Sequence, residues 1–260
     1  MTLTETSPVP ITPSPNGQTE HAPGDREMTL LQHLEELRGR LVACAAAVVI
    51  GILVSVIPVP GLGSITEWVV KLLAELAPAG KLSTFGPGEG FFAFLEVAMI
   101  IGFAVAMPVI VFQVLSFVTP ALYENERKYL YIAVPGVTLS FATGVLFCYF
   151  LMLPFAIKFL GGFQPEIFTP IWGAEKFLDF VSTFLFWVGL TFELPIVMFF
   201  LSKMGIVSAQ RMARFRKYAF VLAFVLGAII TPTPDPVNQT IVSLPIYFLF
   251  ELGVILARFA

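Results

Sequence analysis

Charge is scarce in this chain. Only 13% of its 260 residues are Asp, Glu, Lys or Arg, about half the share usual for a soluble domain. Histidine occurs twice, at His21 and His33, and cysteine twice, at Cys44 and Cys148. Neither cysteine has a neighbour at metal-ligand spacing and both lie in apolar runs, so the expectation is two buried thiols and no metal site. There is no H-E-x-x-H, no G-x-S-x-G and no glycine loop that would cradle phosphate. Nothing sets a nucleophile beside a base, which excludes the common enzyme classes and leaves no cofactor to propose. A net charge of −3 without a basic stripe gives no reason to expect nucleic-acid binding.

Apolar residues are abundant instead: 57% of the chain, with 27 phenylalanines. This composition belongs to an integral membrane protein of the all-α class. Residues 1–27 are rich in Pro, Thr, Ser and Glu and read as a disordered tail rather than a signal peptide. Residues 28–260 read as one membrane domain of six spans. They are expected at Leu37–Ile57, Phe91–Val118, Leu130–Phe155, Lys176–Leu201, Tyr218–Ile230 and Ile241–Ala257. Ile65–Leu76 has the spacing of an amphipathic surface helix. The last two spans, about 13 and 17 residues or roughly 20 and 25 Å, are too short for a ~30 Å hydrocarbon core and should thin the bilayer. Eleven of the fifteen Lys and Arg residues fall on the side of the N-terminus and four on the other, which places both termini in the cytoplasm.

Within span four Glu193, followed by Pro195, stands near mid-bilayer, where an ionisable group must face protein or water. Helical steps back from it reach Gly189, Phe186, Ser182 and Asp179, a small and polar face that implies a hydrated groove. A protonated Glu193 bonded to a neighbouring helix is the plainer alternative. Span six carries a weaker polar face with Thr240, Ser243, Tyr247 and Glu251. Asp235, in the tip TPTPDPVNQ, is locally a turn residue.

Two charged stretches should lie at the cytoplasmic surface. In MTLLQHLEELRGRL, Thr29 and Gln32 form a capping box that starts a helix, and Glu36 sits one turn before Arg40. That pair is either an ordinary exposed ion pair or part of a site for a cationic ligand. In FVTPALYENERKY, Glu124, Glu126, Arg127 and Lys128 stand beside Phe117 and Tyr123.

HLEELRGRL at 33–41, FVTPALYENERKY at 117–129, TFELPIV at 191–197, TPTPDPVNQT at 231–240 and PIYFLFELGV at 245–254 together resemble the TatC family, the polytopic receptor subunits of the twin-arginine protein translocase. The resemblance implies a cup-like six-helix bundle in a bacterial cytoplasmic (inner) membrane. It implies binding of the twin-arginine signal peptides of folded cargo, driven onward by the proton motive force. On matching positions Glu36 and Glu126 would meet the two arginines, with Phe117 and Tyr123 shaping the site and Arg38 and Glu124 nearby. Glu193 would face the concave groove beside Pro195. Thr231, Asp235, Gln239 and Ser243 would lie where TatA and TatB, or one dual-purpose TatA, dock. Other TatC copies and membrane lipid would be further partners. The rival class, a proton-coupled transporter with Glu193 as its relay, would need inverted repeats, and none is visible.

Overall fold

The computed structural model describes residues 30–61, 63–77, 82–118, 127–164, 166–167, 170–231 and 235–260, with side chains from 34 onward except at 118 and 127–133. The expected tail and capping box lie outside that set. Among the described residues every regular element is helical, apart from two isolated β-bridges.

Helix α1 (Leu30–Val56) runs antiparallel to α3 (Glu89–Val118). Their axes approach at Gly51 and Gly102, where a β-carbon on Gly51 would lie 2.6 Å from the Gly102 carbonyl oxygen. Glycine is needed on both sides of such a crossing. At ~1.5 Å per residue the 30 residues of α3 reach about 45 Å, beyond a ~30 Å hydrocarbon core, and the helix continues through Pro108.

Between α1 and α3 the amphipathic helix forms as expected, as α2 (Ile65–Ala74). Ser64 caps it by accepting the Glu67 N–H at 3.0 Å. Buried Thr66 then donates to the Ser55 carbonyl of α1 at 3.0 Å. The segment before α3 is tied across the molecule, since Ser83 N–H donates to Trp172 O at 3.0 Å and Ala174 N–H to Ser83 O at 2.7 Å.

The third span departs from expectation. It does not end at Phe155: α4 (Arg127–Phe147) passes through a π-helical turn, Cys148–Met152, into α5 (Leu153–Gly161). Pro154 has no N–H and crowds the carbonyl of a preceding α-turn. The wider turn, closed from Leu153 N–H to Cys148 O, carries the chain past the proline without a break. The connection to the next span therefore begins after Gly161.

Span four is two helices, α6 (Ala174–Thr191) and α7 (Leu194–Lys203), broken at Phe192–Glu193. Short α8 (Ala209–Arg214) leads to α9 (Arg216–Ile230) and α10 (Pro236–Leu256). The last helix is not short. It has 21 residues because Asp235 caps it, accepting the Asn238 N–H at 2.7 Å, and Pro236 occupies its first turn, where proline loses no hydrogen bond. Of the last two expected spans only α9, with 15 residues, is short.

Among the described residues five segments are long and apolar enough to cross a membrane: Leu34–Val56, Glu89–Phe117, Val134–Gly161, Ala174–Lys203 and Pro236–Leu256. They enclose a core of Val97, Cys148, Leu153, Val181, Phe184 and Val242. Outward, large apolar side chains such as Leu53, Phe91, Phe150 and Phe248 stand exposed, an arrangement that suits hydrocarbon rather than water. Cys148 is buried as expected, whereas Cys44 is only half-buried.

Candidate functional site

The α1–α3 crossing sets the first group of polar side chains. Arg40 lies eleven residues before Gly51 and Gln113 eleven after Gly102, so antiparallel packing brings them to one height, about 16 Å from the crossing. Arg40 donates to Glu36 Oε1 from Nε at 2.9 Å and from Nη2 at 2.5 Å. Its Nη1 reaches Gln113 Oε1 at 3.3 Å. Glu36 and Arg40 are each only 23% exposed, so this is not the ordinary surface pair that spacing alone allows. The other oxygen, Glu36 Oε2, is buried and has no hydrogen-bond partner among the described residues. A buried acceptor left unmet costs ~1–3 kcal/mol, so the site gains from any donor that completes it.

Phe117, one turn beyond Gln113 on α3, is half-buried, and Arg38 is exposed. Tyr123, Glu124 and Glu126 lie outside the described residues. Gln113 was missed by sequence reasoning; the signal for it was a lone amide within the apolar run MPVIVFQVLSF.

Glu193 stands at the α6–α7 break and is 4% exposed, with neither oxygen hydrogen-bonded among the described residues. Along the face expected to be a groove, Asp179 is exposed and Phe186 half-buried, while Ser182 and Gly189 are buried. Gly189 packs against Phe141, and Ser182, buried, donates to the Leu178 carbonyl of its own helix. The main chain at the break is satisfied by protein rather than water: Ser140 of α4 donates to Phe192 O at 2.6 Å. Pro195 and Met198 then press on Gly253 of α10. Glu193 thus sits where α4, α6 and α7 meet.

The hairpin of α9 and α10 gathers the remaining residues. Gln239 donates to Phe224 O at 3.0 Å, Thr231 to Gly227 O at 2.7 Å and Ser243 to Gln239 O at 2.7 Å. Gly227 faces Ser243 so closely that any β-carbon there would meet its hydroxyl. Thr231 and Ser243 are buried; each bonds a carbonyl of its own helix, while Gln239 and the Gly227–Ser243 contact join the two helices. The accessible feature is a shallow groove of about 430 Å³ along α9, lined by Phe220, Val221, Phe224, Val225, Ile229 and Gln239.

These observations define a polytopic α-helical membrane protein with polar clusters at helix ends and at one helix break. Residues 32–245 match the family described as Sec-independent protein translocase protein (TatC). The chain is 36% identical to the TatC of Aquifex aeolicus over 90% of its length and 96% of that protein. It is 32% identical to the TatC of Carboxydothermus hydrogenoformans, over 90% and 95%. A crystal structure of a twin-arginine translocase receptor, TatC, superposes with a TM-score of 0.75 at 35% identity, covering 87% of this chain and 98% of that one. The chain belongs to the TatC family. It is accordingly a multi-pass membrane component of a protein translocase, a transport protein rather than a catalyst in the usual sense.

Proposed function

We propose that the chain is the receptor and core scaffold of a twin-arginine translocase, reading signal peptides at the end of α1. The observation that carries this reading is Glu36. Arg40 occupies one carboxylate oxygen, and the other is an acceptor without a donor among the described residues. A signal-peptide guanidinium would complete it, and a charge-assisted bond of that kind is worth about 1.5–3 kcal/mol. Glu126 would take the second arginine, with Glu124, Tyr123, Phe117 and Arg38 around the pair. Because Glu193 is enclosed, the apolar part of the signal would enter past it only after α4 and the α6–α7 break move apart.

In this reading α9 is the fifth of six spans, drawn into a locally thinned bilayer, and the bundle forms a cup. Both termini face the cytoplasm, as the distribution of Lys and Arg supports, in a bacterial inner membrane. Residues 1–27 form a cytoplasmic tail outside the domain at 28–260. The α9 groove with Gln239, beside the tip at Asp235, would receive the single-span partners TatA and TatB, or one protein serving as both. Thr231 and Ser243 would hold the hairpin in shape for them.

Binding of a twin-arginine signal peptide to the purified protein tests the proposal, beside a twin-lysine peptide and the Glu36→Gln/Glu126→Gln variant. Either change should weaken binding at least about tenfold, or ~1.4 kcal/mol. Equal affinity in all combinations would remove these carboxylates from the site.

A further inference from the structure

At ~1.5 Å per residue α9 reaches about 22 Å, against a ~30 Å hydrocarbon core. On the proposed reading of α9 as a span, with its far end at one interface, its first turn would be drawn to headgroup depth or below at the other. The chain entering that turn reads RMARFRKY over 211–218. Phe215 is 56% and Tyr218 60% exposed, and Lys217 Nζ lies 5.0 Å from the Tyr218 ring centre. This corner is held firmly from below. Met212 of α8 is buried with Met198, Val254 and Ala257. Arg216 is spent on structure: its Nη2 meets Glu251 Oε2 at 2.8 Å, while Tyr247 donates to Glu251 Oε1 at 2.8 Å. Arg211, Arg214 and Lys217 are exposed and meet no carboxylate among the described residues. Three cations without a carboxylate partner among the described residues, around two exposed aromatic rings, match the chemistry of an anionic lipid headgroup.

We infer that the α8–α9 corner binds anionic phospholipid, with Arg211, Arg214 and Lys217 on the headgroup phosphates and Phe215 and Tyr218 in the interface, and that this contact fixes the depth of α9. The lipid is the ligand rather than free phosphate, because the rings add apolar surface that phosphate cannot use. The inference stands whether or not Glu36 takes a signal peptide.

The test is thermal unfolding of the full chain in a neutral detergent with added phosphatidylglycerol, phosphatidylcholine or inorganic phosphate. Phosphatidylglycerol should raise the midpoint at concentrations at least about tenfold lower than phosphatidylcholine does, and salt should weaken the preference. Inorganic phosphate should do nothing. Arg211→Gln/Arg214→Gln/Lys217→Gln should abolish the preference, each single change should reduce it, and Arg211→Lys/Arg214→Lys should keep it. Lys71→Gln/Lys158→Gln, away from this corner, should keep it as well. Single variants remain informative if the triple variant does not fold. Equal response to the two lipids, a preference surviving in the glutamine variants, or an equal shift with inorganic phosphate would overturn the inference.

Discussion

Gly51 of α1 and Gly102 of α3 meet without room for a side chain: a β-carbon on Gly51 would sit 2.6 Å from the Gly102 carbonyl oxygen. Because α1 and α3 are antiparallel, this one contact also fixes the height at which Arg40 meets Gln113. Gly51→Val should therefore act twice. It should destabilise the protein by about 1–3 kcal/mol through overpacking, seen as a lower unfolding midpoint. It should also weaken signal-peptide binding although residue 51 is eleven positions from Arg40.

Arg40 competes for the carboxylate it orients. Arg40→Gln should leave Glu36 available on both oxygens and remove a like charge facing the incoming arginines. The expected result is signal-peptide binding tighter by about threefold, or ~0.6 kcal/mol, in the same titration in which Glu36→Gln loses binding. Weaker binding in Arg40→Gln would show that the guanidinium supports the site by position rather than masking it.

Ser140→Ala removes the hydroxyl that meets Phe192 O at the α6–α7 break. With no water at hand in a hydrocarbon core, the orphaned carbonyl should cost ~1–3 kcal/mol. Ser140→Thr, which keeps the hydroxyl, should recover most of the unfolding midpoint. Hydrogen exchange around 190–196 should rise in the alanine variant alone.

Glu67, on the exposed face of α2, accepts a bond from Lys71 at 2.6 Å, which holds its carboxyl below the usual value of 4.5. A depressed folded value means stability that is present above 4.5 and lost as pH falls through the lower one. Glu67→Gln should lower the unfolding midpoint slightly at neutral pH, because the pair is fully exposed to screening. The difference from the parent protein should close as acid is added below pH 4.5. A gap that persists in acid would assign the effect to helix capping instead of the ion pair.

Much of this fold is legible in the sequence, and the exceptions share a cause. The run Ile65–Leu76 announces α2 because its apolar residues repeat at helical spacing. The α3 run announces itself by length. Prolines misled in both directions. Pro154 reads as a stop, yet the π-turn before it lets the helix continue. Pro236 reads as part of a turn, yet behind the Asp235 cap it starts α10 five residues early. Helical spacing aligns a polar face on Glu193, but whether such a face meets water or another helix depends on partners far along the chain, here Phe141 and Ser140. Gln113 escaped notice for the same reason, since its meaning comes only from Arg40 across the helix pair.

The π-turn at Cys148–Met152 changes how the rest of that span is to be understood. One added residue advances every later side chain by about 100° around the helix axis. The last stretch, α5, therefore presents a different angular sector of its sequence inward than a continuous α-helix would. Leu153, Ala156 and Ile157 are buried there, and without the extra residue they would swing toward the flank. The span behaves as two gears meshed one tooth out of phase. A single-residue deletion between 148 and 152 would turn the later gear relative to the earlier one, unseating its contacts while leaving composition and length almost unchanged.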